Sequence, residues 1–122
     1  MKYRHGESPL VIKSTLLCVY GRYIAGQLRS RNYYRTSDQV EGSTLAVKNN
    51  VSEAQCAESG LDFIHKLKLA QKELYEADGI VCTLQGRDGI ETYVRETFID
   101  LCAELNRLLS ASIFTATKNL TR

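Results

Sequence analysis

The sequence predicts an all-α fold, an antiparallel up-down-up-down four-helix bundle. Two observations carry that expectation. Between Asn50 and Leu84, the residues Phe63, Leu67, Ala70, Leu74, Ala77, Val81 and Leu84 recur at alternating steps of four and three, the spacing of an apolar stripe on one face of a helix. No stretch of the chain alternates at period two, so no sheet is expected.

Each helix has its own signals. Ser8-Pro9 marks the first start, with serine suited to capping free amides and proline to the first turn. Helix 1 is expected over residues 9–30, with two adjacent stripes. One is Ile12, Leu16, Val19, Tyr23 and Gln27; the other is Leu17, Tyr20, Ile24 and Leu28. Together they predict a wide buried face. Gly21 and Gly26 each cost about 1 kcal/mol relative to alanine inside a helix, a cost better tolerated where another helix packs closely.

Thr36 with Gln39 three residues on reads as a capping box, placing helix 2 over residues 37–57. Its seam is Val40, Thr44, Val47, Val51 and Ala54, and Gly42, Ser43 and Ala46 suggest close backbone approach. Asn49 and Asn50 are poor mid-helix residues, expected to be exposed or hydrogen-bonded to a neighbour. Ser59-Gly60-Leu61-Asp62 opens helix 3, over residues 60–85, with Asp62 at its third position. So short a link makes helices 2 and 3 antiparallel neighbours. Gly86-Arg87-Asp88-Gly89 is a turn, with Asp88 the expected cap of helix 4 over residues 89–117. The main seam of helix 4 is Ile90, Val94, Phe98, Leu101, Leu105, Leu108 and Ser112.

At 122 residues and 43% hydrophobic content, residues 1–122 are expected to form one domain with a core that needs no disulfide or metal. No run approaches the roughly 20 apolar residues of a membrane span. The first ten residues lack the apolar core of a secretion signal, so a cytoplasmic location is expected. Cys18, Cys56, Cys82 and Cys102 form no Cys-x-x-Cys pair, and they read as free, mostly buried thiols.

Metal and catalytic chemistry find little support. Asp62 and His65 stand one turn apart, and the only other histidine is His5. A di-metal bundle site needs two carboxylate-x-x-His pairs and further inward glutamates, so neither a metal nor another cofactor is expected. No Gly-x-Ser-x-Gly, His-Glu-x-x-His or glycine-rich phosphate loop is present, and the protein is expected not to be an enzyme. Asp62 also lies four residues before Lys66, and Lys66 and Glu73, or Lys72 and Glu76, are spaced for surface pairs or for subunit contacts.

Charge is the stronger lead. The net charge is +2, but residues 1–35 carry +6 and the remainder −4. Arg22, Arg29, Arg31 and Arg35 are interleaved with Tyr20, Tyr23, Tyr33 and Tyr34. Arginine pairs with phosphate and tyrosine stacks on bases, so these arginines, with Lys68 and Lys72 on helix 3, are the candidate nucleic-acid-binding residues. Basic residues scattered on a solvated helix face are the plainer alternative.

Three segments, QVEGSTLAVKNNVSEA from Gln39, AESGLDFIHKLKLAQKEL from Ala57 and LLSASIFTATKN from Leu108, resemble the bacterial four-helix bundle protein family. Its members are encoded in intervening sequences of large-subunit ribosomal RNA genes and elsewhere. The same superfamily includes the accessory variability proteins of diversity-generating retroelements. The resemblance covers residues 36–118 and reaches helix 1 through Lys13-Ser14. It implies a ring-shaped homopentamer without catalytic residues and, by the retroelement branch, RNA or DNA and a reverse transcriptase as partners. The alternative function is a structural or protein-interaction scaffold. The chain departs from the pattern at Gly42, where the family has arginine. It departs also at Thr44 and Lys48, which take glycine positions, and at Gly79-Ile80, where the family favours Tyr-Trp.

Overall fold

Four helices follow one another in the computed structural model, which describes residues 8–121. They are α1 (Pro9–Ser30), α2 (Tyr34–Gln55), α3 (Gly60–Cys82) and α4 (Thr92–Leu120), with a 3-10 turn at Gly86–Asp88 before α4. Lys2, Arg4, His5 and Glu7 lie outside the described residues. Each helix packs on its neighbours in sequence, and α1 closes against α4. The bundle is therefore a ring of four with α1 diagonal to α3. The turns 31–33 and 83–91 share one end, here the turn end. The link between α2 and α3 lies at the other.

The expected seams form the core. Leu67, Ala70, Leu74, Ala77, Val81 and Leu84 are buried on the α3 side, and Phe63 is half-buried against them. All five residues of the α2 seam are buried. On α4 the seam is buried from Ile90 to Leu105, and Leu108 and Ser112 are half-buried where α4 runs on past the cap of α1. Each fully buried leucine or phenylalanine contributes roughly 1.5–3 kcal/mol of transfer free energy.

Helix 1 departs from expectation. Its buried residues include Leu17, Ile24 and Leu28, but Ile12, Leu16, Val19 and Tyr23 are 40–61% exposed. Within one chain α1 packs chiefly on α2 and α4, and two neighbours cover one stripe and its flanks, not both stripes. Tyr20 packs against the core rather than facing solvent.

Close approach occurs where α1 crosses α2. A Cβ on Gly21 would overlap the hydroxyl and methyl of Thr44 and stand 2.9 Å from its Cβ. Thr44, at a position where glycine was expected by resemblance, is accommodated because α1 supplies the glycine. Gly26 and Gly42 have open space around them, so neither marks close packing.

The helix ends shift five expected boundaries, among them the end of α2, which stops at Gln55 rather than at Ala57. The capping box of Thr36 and Gln39 is not used. Asn32 turns the chain with a left-handed φ of 67°, and α2 starts at Tyr34 with Tyr33 as its cap. Asp88 does not cap α4. Its Oδ2 accepts the Gln85 N–H at 2.9 Å in a capping box around the 3-10 turn, and Gly89 leaves that turn at φ 81°. Glu91 becomes the N-cap of α4, and that helix continues to Leu120. The Arg95 guanidinium donates to the Cys82 carbonyl at 2.8 Å, closing α3 three residues early. Ser59 does cap α3, accepting from Asp62 N–H at 3.1 Å, whereas Ser8 stands at the N-cap without a side-chain bond. Asn49 is exposed, and Asn50 donates to Ala46 O of its own helix at 2.9 Å. Lys66 pairs with Glu53 of α2 at 3.6 Å, not with Asp62 or Glu73.

Candidate nucleic-acid interface

The six basic residues singled out by sequence fall into three places. Arg31 and Arg35 flank the turn between α1 and α2 and are exposed. Arg29 is one turn back but engaged: its guanidinium lies 2.7 Å from Asp38 Oδ1 and 3.2 Å from Ser37 Oγ. Ser37 in turn donates to Ala25 O at 2.8 Å. Arg29 thus staples α1 to α2, with the positive charge at the α1 C-terminus that the helix dipole favours.

Arg22 stands eight residues before the end of α1, about 12 Å along the axis. It lines a shallow groove between α1 and α2 with Cys18, Asp38, Glu41 and Leu45, so two carboxylates share its surroundings. Lys68 and Lys72 project from the middle of α3, the helix diagonal to α1. They form no surface with the arginines of the turn end.

One member of the cluster was missed in the sequence reading. Arg87, in the turn between α3 and α4, is brought beside Arg31, whose guanidinium donates to the Arg87 carbonyl at 3.2 Å. Gly89 permits this approach, since a Cβ there would overlap Arg31 Nε and stand 3.1 Å from its Cδ. The signal was present in the Gly-Arg-Asp-Gly spacing, but only the pairing of the two turns makes it a neighbour.

Tyr23 and Glu91 join α1 to the start of α4. The phenol donates to Glu91 Oε2 at 2.6 Å and accepts from Gln27 Nε2 at 3.2 Å. The bond favours the charged carboxylate and the protonated phenol. It holds Glu91 below the usual glutamate range and lifts Tyr23 above the usual phenol value. Tyr23, read from sequence as a base-stacking residue, therefore has its hydroxyl committed inside the chain.

Among the described residues no group of three or more His, Cys, Asp and Glu side chains is placed to hold a metal ion. Nor is any helix long and apolar enough to cross a membrane. A cleft of about 530 Å³ at the far end is lined by Ser8, Ala54, Gln55, Phe63, Leu108 and Ser112 among others, and among the described residues no titratable side chain lines it.

Residues 13–111 match the family described as 23S rRNA-intervening sequence protein. The chain belongs to that family. A solved structure, a protein of unknown function from the S23 ribosomal protein family of Bacteroides thetaiotaomicron, is similar to it. The two share 28% identity over 85% of this chain and 97% of the other, with a TM-score of 0.78. No curated protein matches. Membership of the 23S rRNA-intervening sequence protein family accords with the helical bundle.

Proposed function

We propose that the protein is a non-catalytic, homo-oligomeric bundle that serves as a nucleic-acid-binding accessory, with a reverse transcriptase as its candidate protein partner. The observation that carries this reading is unspent positive charge. Of the six basic residues singled out by sequence, only Arg29 has an ion-pair partner among the described residues. Arginines without internal carboxylates are suited to phosphates, which they bind through a planar fork of donors. The family's association with 23S ribosomal RNA intervening sequences supports the same reading. The reverse transcriptase enters by resemblance to the retroelement branch.

The exposed stripe Ile12, Leu16, Val19 and Tyr23 supports assembly. Exposed apolar residues at steps of four, three and four form a helix face suited to a second copy of the chain. The resemblance makes a ring of five the expected closure. Such a ring would present five copies of the turn end and multiply a modest net charge.

Light scattering of the whole protein, alone and with a short nucleic acid at two salt concentrations, tests the proposal. The expected result is a particle of five chain masses that gains nucleic acid at low salt and loses it at high salt, because phosphate contacts release counterions. An assembly indifferent to nucleic acid at low salt favours the second reading, a protein-interaction scaffold, for which the uncharged apolar stripe of α1 is the supporting observation.

A further inference from the structure

Residues 31–35 read Arg-Asn-Tyr-Tyr-Arg, and the turn fixes how they are displayed. Asn32 adopts the left-handed conformation, which asparagine tolerates better than most residues. Its Oδ1 accepts the Tyr34 hydroxyl at 2.9 Å. The Tyr34 ring is thereby tethered to the turn while remaining 54% exposed, and Tyr33, the cap of α2, is 43% exposed. Neither belongs to the core. Two tyrosine rings on a tight turn, outside the core, have no packing role that explains them.

The arginines around them are equally placed. Arg31 rests on the backbone of the 3-10 turn through the Arg87 carbonyl, which engages one terminal nitrogen and leaves other N–H donors of the guanidinium. Arg35 opens α2 on the other side of the two tyrosines. None of the ion pairs among the described residues involves Arg31, Arg35 or Arg87. Asp88, next to Arg87, is turned onto the Gln85 N–H. Three exposed arginines thus belong to the two turns at one end of the bundle, and Tyr33 and Tyr34 lie between Arg31 and Arg35 along the chain.

We infer that this tip binds single-stranded nucleic acid, with phosphates on Arg31, Arg35 and Arg87 and unpaired bases on Tyr33 and Tyr34. The inference rests on the nucleic-acid reading above and narrows it to a place and a strand state. Arginine alone would serve a duplex equally well, since its phosphates lie on the outside. Exposed tyrosine rings would not, because the faces of paired bases are already stacked on one another. Stacking tolerates any base, so the site selects unpaired strand rather than sequence. Phosphates and base faces are common to RNA and DNA, and equal binding of the two is expected.

Fluorescence anisotropy of the full chain with a labelled unstructured oligonucleotide, as RNA and as DNA, and with the same DNA as a duplex, provides the test. The wild-type protein is expected to bind both strands better than the duplex. Tyr33→Ala and Tyr34→Ala should each weaken strand binding about tenfold without changing its salt dependence. Tyr33→Phe, which keeps the ring, should bind as wild type, and circular dichroism of each variant checks that the bundle is intact. Arg31→Gln, Arg35→Gln and Arg87→Gln should each reduce the slope of log K against log salt by about 0.7. Strand binding that survives these changes but is lost in Lys68→Gln/Lys72→Gln overturns the tip and leaves the nucleic-acid reading standing. A preference for duplex overturns the stacking role. Absence of binding to every nucleic acid at low salt overturns both the tip and the broader reading.

Discussion

Gly21→Ala and Gly26→Ala, the same substitution five residues apart on one helix, should change stability in opposite directions. Alanine exceeds glycine in a helix interior by about 0.8–1.0 kcal/mol. At Gly26 a new Cβ meets nothing within 4 Å, so that gain is expected almost in full. At Gly21 the new methyl would overlap the Oγ1 and Cγ2 of Thr44. Thr44 is 1% exposed, and its hydroxyl is held on Val40 O at 2.9 Å. It cannot swing away without breaking that bond, so the helices must separate. Overpacking of this kind costs typically about 1–3 kcal/mol. With three close contacts the upper half of that range applies, and the net loss is about 1–2 kcal/mol after the propensity gain. The two variants should then differ by about 2–3 kcal/mol. Urea unfolding followed by far-UV circular dichroism measures this, at one fixed chain concentration because assembly couples to stability. Thr44→Ala removes two of the three contacts, so Gly21→Ala should cost at least about 1 kcal/mol less in that background. Equal effects at Gly21 and Gly26, or no coupling to Thr44, would refute the packing of α1 on α2 described above.

Three further outcomes are expected. Phe98→Ala empties a fully buried site and should cost about 3–5 kcal/mol, while Phe114→Ser, at a side chain 70% exposed, should change the unfolding midpoint of the unassembled chain little. Tyr23→Phe removes the donor to Glu91. Because Glu91 is held below its ordinary value, the stabilisation is present at neutral pH and lost as pH falls through that lowered value. The gap in urea midpoint between wild type and variant should therefore be open at pH 7 and close in acid. Native alkylation followed by mass spectrometry should label exposed Cys56 first and leave Cys102 unlabelled, since burial both shields that thiol and raises its pKa.

Much of the candidate interface is visible in the residues, though not its composition. Arg31, Tyr33, Tyr34 and Arg35 are contiguous, so their neighbourhood follows from chain order. Arg29 looked equivalent to Arg31, yet the first turn of α2 brings Asp38 against it and not against its neighbour. Lys68 and Lys72, with His65, read as a second short stripe on helix 3, and that helix lies diagonal to α1. Arg87 joins these residues only through a turn more than fifty residues away, which chain order does not show.

By itself the sequence determined that the chain is helical, where the core seams of α2, α3 and α4 run, and that positive charge gathers at the end of α1. These properties are periodic or local, set by side chains within a few residues of one another along one helix. Only the tertiary structure decided which stripe of α1 is buried, which glycine is needed for packing, how the helix caps are shared out and which arginines keep their charge unspent. Each of these depends on what a second helix places opposite. Two stripes of similar apolarity cannot be ranked until the positions of α2 and α4 are known.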